Sequence, residues 1–261
     1  MTHTRRRVAS SFLGSVLLAG GLLPVLVLHP RFLYAHRTAT PDYVLYHNQP
    51  VDPAWWPRLA QARALVQPSP WFASAVRLNV CLNDGSPYPA LVERLWGPAF
   101  AWGFSRNVVL NGEAHPKDNY VRLNGYNWNL VQLLAHESVH CYQAHRLGFW
   151  RANPVARYPA WKWEGYAEYV ARQRSAGSSA GQQLRQLQHA EHATPQAWAL
   201  SLADSTSVSR EYARYRLLTT YCLDVKNMSY PQLLADTASE RTVQAQLTTW
   251  QVREKNRALN K

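Results

Sequence analysis

The chain of 261 residues carries a formal net charge of +12, from 28 lysines and arginines against 16 aspartates and glutamates. A charge of that size points toward nucleic acid, yet five of the basic residues and none of the acidic ones lie in residues 1–37. That leaves 23 basic against 16 acidic residues, or +7, scattered over the rest without a basic run. The scatter describes a solvated surface, or an attraction to anionic lipid head groups or wall polymers, and no nucleic acid is expected as a partner.

Arg5, Arg6 and Arg7 precede an uncharged stretch from Val8 to Leu28. About 20 apolar residues span a bilayer core as a helix, and this stretch is long enough, although Gly14, Gly20, Gly21 and Pro24 weaken its helicity. The arginine cluster outweighs Arg31 and Arg37 beyond the stretch. The N-terminus is therefore expected in the cytoplasm and the rest outside it, as a single-pass membrane protein exposed on the periplasmic or extracellular side. The alternative is a cleaved secretory signal: Ala35 offers a cleavage position, but Leu33 is a poor match to the small residue such sites want. The expected division is a stub and anchor over residues 1–37 and one folded domain over residues 38–261.

Tyr43-Val44-Leu45-Tyr46 reads as a short strand, and Pro53 to Val66 as a helix with Asp52 as a candidate N-cap. Val76 to Leu82 alternates apolar and polar residues as a half-buried strand does, and Asn83-Asp84-Gly85 is a strong turn signal. Tyr88 to Trp96 reads as a second helix. Further strands are expected at Ala101 to Phe104, Asn107 to Leu110 and Tyr120 to Leu123. Of the three cysteines, Cys81, Cys141 and Cys222, two can pair in an oxidising compartment, in a combination the sequence leaves open. None has a neighbour in sequence that would activate it as a nucleophile.

The chemistry concentrates in the next helix, expected from about Asn129 to Leu147, with Asn127 or Asn129 as N-cap and Gly148 as its stop. Within it, His136-Glu137-Ser138-Val139-His140 places two imidazoles one turn apart on one face, where both can offer a ring nitrogen to a single Zn²⁺. Glu137, about 100° round the helix, leans over the open side of such an ion, placed to take a proton from a metal-bound water. Cys141 points off that face. A hydrolytic zinc site needs a third protein ligand, and a carboxylate on a second helix is one solution. Glu164 fits, on a helix expected from Trp161 to Arg174. Glu168, one turn further, can accept from the distal nitrogen of a zinc-bound histidine and fix its tautomer. His145, His189 and His192 have no such partners and read as surface groups.

Ser175 to Gly181 reads as a loop, Gln182 to His192 as a polar helix, Ser209 to Asp224 as a tyrosine-bearing helix, and Val243 to Lys255 as a last amphipathic helix.

The run His136 to His140, followed by Trp161-Lys162-Trp163-Glu164-Gly165-Tyr166-Ala167, resembles the zincins whose third ligand is a glutamate, the thermolysin-like or peptidase-MA-like gluzincins. The second run is similar to the W-x-x-E-G-x-A segment of the aminopeptidase-N type. The resemblance covers roughly residues 100 to 237. It implies an α+β domain with a small mixed sheet packed on the metal helix and a mostly helical C-terminal half. It implies zinc-dependent hydrolysis of a peptide or protein substrate, with His136, His140 and Glu164 as ligands, Glu137 as general base and Glu168 behind a ligand histidine. Such proteins place an edge strand before the metal helix to pair with an extended substrate; Asn107 to Leu110 is the candidate, against the alternative of an ordinary inner strand. They also supply a tyrosine or histidine for the oxyanion from a later helix, which points to Tyr212, with Tyr215 as second choice. Twenty-three residues separate His140 from Glu164, more than in the aminopeptidase-N type, so exopeptidase activity does not carry over. Two other readings remain: a non-catalytic, metal-stabilised surface scaffold, and a metal-dependent amidase acting on cell-wall peptides.

Overall fold

The computed structural model describes residues 23–172, 179–201 and 206–259. It is a mixed α+β structure. The first half is built on a five-stranded sheet in the order β1-β2-β3-β5-β4, from β1 (His36–Ala39), β2 (Tyr43–His47), β3 (Leu78–Cys81), β4 (Ala101–Phe104) and β5 (Asn107–Leu110). β2, β3 and β5 run parallel, while β1 and β4 close the two edges antiparallel. Side chains alternate between the faces of a strand. Leu45, Leu78, Val80, Val108 and Leu110 therefore enter one core, while Tyr46, Cys81 and Val109 enter another. Helix α1 (Trp55–Val66) belongs to the first core and α2 (Tyr88–Trp96) to the second.

The expected substrate-pairing strand is corrected here. Asn107–Leu110 is an inner strand, buried along its whole length between β3 and β4, and the edge strand beside it is Ala101–Phe104. The run Val108-Val109-Leu110 is apolar on both faces, which is the composition of a strand covered on both sides.

A three-stranded antiparallel meander follows, β6 (Glu113–His115), β7 (Tyr120–Leu123) and β8 (Tyr126–Asn129). It leads directly into α3 (Leu130–Leu147), whose N-cap Asn129 accepts from the backbone N–H of Gln132 at 3.0 Å. Every residue of α3 from Leu130 to Gln143 is buried except Gln132. A helix covered all round is the centre of its fold. One side lies on the sheet; the other receives α4 (Ala160–Arg172). Then come α5 (Ala180–Ala193), the hairpin β9 (Ala199–Ser201) and β10 (Ser207–Ser209), and α6 (Arg210–Thr220), capped by the Ser209 hydroxyl. A π-helical turn at Tyr221–Val225 extends α6. The chain closes with α7 (Tyr230–Ala235) and α8 (Glu240–Leu259).

Among the described residues no helix is long and apolar enough to cross a membrane. Most of the expected anchor, residues 8–22, lies outside the described residues, as do residues 175–178 of the expected loop; residues 23–28 are helical. The end of that helix is fastened to the domain: the Tyr88 hydroxyl and the Asn107 amide both donate to the Val27 carbonyl. The cysteine pairing is also corrected. Cys81, Cys141 and Cys222 are all free and buried, and the Cys141 thiol donates to the Asn107 carbonyl instead.

Candidate metal centre

Helix α3 presents His136 and His140 one turn apart, and their Nε2 atoms approach to 3.1 Å. Across from them, α4 brings Glu164, whose Oε2 lies 3.1 Å from His136 Nε2 and 3.1 Å from His140 Nε2. Three donor atoms of the type zinc favours thus form a nearly equilateral triangle. A tetrahedral ion with bonds of about 2.0–2.1 Å wants its ligand atoms about 3.3 Å apart, so the triangle fits with little adjustment. The buried group His136, Glu137 and His140 could hold a metal ion, its donor atoms lying within 4.8 Å of one another. Glu164 brings one oxygen within 3.1 Å of both ring nitrogens. Its side chain is 22% exposed against 4% and 8% for the imidazoles, so the cluster opens to solvent on the Glu164 side.

Each imidazole has its own support. Glu168 Oε1 stands 3.2 Å from His136 Nδ1, off the line of a straight hydrogen bond, while its other oxygen accepts from Arg172 Nε at 2.5 Å. His140 Nδ1 lies 2.7 Å from Gln143 Oε1. The faces of the rings are covered as well: Tyr212 stacks on His136 at 5.6 Å, and Trp163 on His140 at 5.8 Å.

The electrostatics follow from packing three carboxylates into a largely buried place. Burial opposes the charge on His136, but the hydrogen bond to Glu164 and the Glu168 and Glu137 carboxylates beside the ring outweigh it and raise its pKa to about 10. His140 is raised against the same desolvation, by Glu164 above all. Burial would lift Glu164, and the two histidines hold it below the usual carboxylate range. Glu168 likewise resists burial through Arg172 and His136 and is pulled down to about 2. Glu137 goes the other way: burial raises it, and the histidines offset only part of that rise. A carboxyl shifted upward in a cleft is better matched to proton transfer near neutral pH than an ordinary glutamate.

Two glycines set the approach of the other elements. Where β4 crosses α3, a Cβ on Gly103 would lie 2.2 Å from the Glu137 carbonyl oxygen, so only glycine lets the strand rest on the helix at that residue. A Cβ on Gly165 would lie 2.4 Å from Thr219 Oγ1 and 2.6 Å from the Tyr215 carbonyl oxygen. The gap it leaves lets α6 close on α4 beside Glu164, and so brings Tyr212 to the site. Burial is the main cause that pushes the Tyr212 hydroxyl well above its usual range, with Glu164 next, so it is a neutral donor facing the carboxylates. Tyr215 is turned away and donates to Glu211 at 2.6 Å.

His136, Glu137, His140, Glu164, Glu168 and Tyr212 are therefore neighbours in space. His145, His189 and His192 are exposed and lie outside the cluster. Sequence reasoning missed Gln143, Arg172, Gly103 and the role of Gly165. The first two had a signal, since Gln143 lies three residues after His140 and Arg172 four after Glu168, the separations that meet on one helix face. Comparison of the chain with models of protein families, with curated proteins and with solved structures finds no match.

Proposed function

We propose that the protein is a zinc-dependent peptide hydrolase of the glutamate-ligand zincin type, in which His136, His140 and Glu164 hold the ion. The observation that carries this reading is the triangle of 3.1 Å contacts among the two Nε2 atoms and Glu164 Oε2, with the Glu137 carboxylate left over beside it. A bound zinc ion would supply an acidified water, with a pKa near 7, and polarise the carbonyl to be attacked.

The chain's own groups do the rest. Glu137 takes the proton of the attacking water and passes it to the leaving amine; its buried, upward-shifted carboxyl suits both steps. Tyr212 keeps its proton and donates a hydrogen bond to the carbonyl oxygen as negative charge develops there. The outer edge of β4 offers backbone groups to an extended peptide, and Gly103 keeps that edge on the turn of α3 that carries Glu137. A metal-stabilised scaffold has no use for a buried, unligated carboxylate at Glu137. Anchorage in a membrane, with the domain on the exported side, belongs to the same proposal and rests on the charge pattern of residues 5–28.

The test is Glu137→Gln in the full-length chain, assayed for zinc by metal analysis and for cleavage of a mixed peptide library. Glutamine keeps the shape and a hydrogen bond to the water but cannot take the proton. Zinc content should persist while hydrolysis falls by about 10²- to 10⁴-fold or more. Undiminished cleavage by the variant, or a zinc-loaded wild type that cleaves nothing in the library, would sink the reading.

A further inference from the structure

The two histidines are backed by different chemistry. Behind His136 stands a carboxylate, Glu168, itself paired with Arg172. Behind His140, among the described residues, stands an amide, Gln143, which is 0% exposed. Gln143 Nε2 donates in turn to the Tyr230 hydroxyl at 2.8 Å. Tyr230 is clamped: its ring stacks on Tyr166 at 3.6 Å and 7° and meets the Trp71 ring edge-on at 4.9 Å. The Tyr166 hydroxyl is tied to Ser69 at 2.9 Å, so the line from His140 ends on α1's following turn with no loose member.

An amide has one accepting and one donating end, and which end faces His140 decides where the imidazole proton sits. With Oε1 toward the ring, Nδ1 carries a proton, and Nε2, which faces Glu164 and His136, is the nitrogen whose own proton can give way to a metal. With the amide reversed, Nδ1 would accept and the proton would sit on Nε2, at the position a metal needs. Gln143 lies with Oε1 2.7 Å from His140 Nδ1 and Nε2 2.8 Å from the Tyr230 hydroxyl, which is the first arrangement. Trp163 stacked on the imidazole face leaves little but rotation in the ring plane for that hydrogen bond to control.

We infer that Gln143, held by Tyr230, is a positioning residue that fixes the tautomer of His140 and frees its Nε2 for a metal ion, without adding charge to the site. The inference rests on the zinc reading above. A neutral backing group orients its histidine but strengthens it less than a carboxylate does.

The experiment measures zinc affinity of the full-length chain in detergent by competition with a chromophoric chelator, for wild type, Gln143→Leu, Gln143→Glu and Tyr230→Phe. Gln143→Leu keeps most of the volume and loses the acceptor, so its zinc Kd should rise about 10- to 100-fold. Gln143→Glu restores the acceptor and should bind zinc at least as tightly as wild type. Tyr230→Phe keeps the stacked ring and should fall between. A purely structural glutamine would lower the unfolding midpoint in Gln143→Leu while leaving the Kd at the wild-type value, and that result overturns the inference. Failure of Gln143→Glu to bind zinc as tightly as wild type overturns it too. The wild type alone gives an independent check by nitrogen NMR of its zinc-loaded histidines: the His140 proton must reside on Nδ1, and a proton on Nε2 refutes the inference even if no variant folds. A wild type that binds no zinc would overturn the zinc reading and this inference together; equal affinity in Gln143→Leu would overturn this one alone.

Discussion

Gly165→Ala separates the packing argument from simple helix propensity, because the two predict opposite signs. Gly165 lies inside α4, and alanine in a helix interior is favoured over glycine by about 1 kcal/mol. Against that, the new Cβ would sit 2.6 Å from the Tyr215 carbonyl oxygen, a backbone atom of α6 that cannot rotate away. Ordinary contact begins at about 3.4 Å, so α6 would have to retreat by about 0.8 Å from its neighbour. Overfilling a packed core costs about 1–3 kcal/mol, and a backbone clash belongs at the upper end. The net expectation is a loss of about 1–2 kcal/mol, or a fall in Tm of roughly 2–8 °C for a domain of this size. The retreat also carries Tyr212 away from the carboxylates, while the ligands on α3 and α4 stay together. Zinc should therefore be retained as turnover drops. Gly181→Ala is the control: its Cβ would meet only Arg185 and Trp250 side-chain atoms at 3.6 and 3.8 Å, so propensity should win and stability should rise by up to about 1 kcal/mol. Urea unfolding of both variants reads the difference, and a Gly165→Ala protein as stable as wild type would refute the close crossing of α4 and α6.

Glu164→Ala should lose most zinc affinity because two protein ligands remain, whereas Glu168→Ala should weaken it by about 10- to 100-fold; metal competition assays that reversed this order would exchange the roles of the two carboxylates. His136, raised to about 10, holds a proton at neutral pH in the metal-free protein, so zinc binding should release at least one proton. Calorimetry in buffers of different ionisation enthalpy measures this, and zero release contradicts the assignment. Without metal, stability should be greatest between about pH 4.5 and 6.5, as read by urea melts of chelator-treated protein. Glu168 is depressed from 4.5 to about 2, so its contribution, on the order of 3 kcal/mol, is present above 4.5 and lost as pH falls toward 2. His136 is raised from 6.5 to about 10, so its contribution is present below 6.5 and lost as pH rises through 10. A flat profile from pH 6.5 to 10 would count against the His136 pairing.

What the sequence made legible follows the reach of local geometry. His136, Glu137 and His140 are fixed relative to one another by a single helix turn, and Glu164 and Glu168 by another, so spacing alone states their arrangement. The choice between Tyr212 and Tyr215 is not of that kind. The two lie about 60° apart round α6, and which one faces the histidine-carboxylate cluster depends on how α6 is rotated against α4, a fact set by Gly165 meeting Thr219 and Tyr215. Strand order was equally out of reach. Ala101–Phe104 and Asn107–Leu110 are both short and apolar, and only pairing across the sheet puts the first at the edge. Strands of three residues such as Glu113–His115 and Ser207–Ser209 carry too little periodicity to be read at all.

The charge arrangement explains why so acidic a cluster can be buried. Three carboxylates, Glu137, Glu164 and Glu168, meet in one place, and an isolated buried carboxylate is costly enough that it would take up a proton instead. Arg172 answers one of them directly at 2.5 Å. Glu164 has the two imidazoles themselves for partners, and the carboxylates raise both rings despite their burial, His136 through Glu164 and Glu168 and His140 through Glu164 above all. A dication bound between the same nitrogens would meet the same carboxylates in place of the proton that His136 holds. The groups that hold the metal-free cluster together are thus the ones a metal would take over.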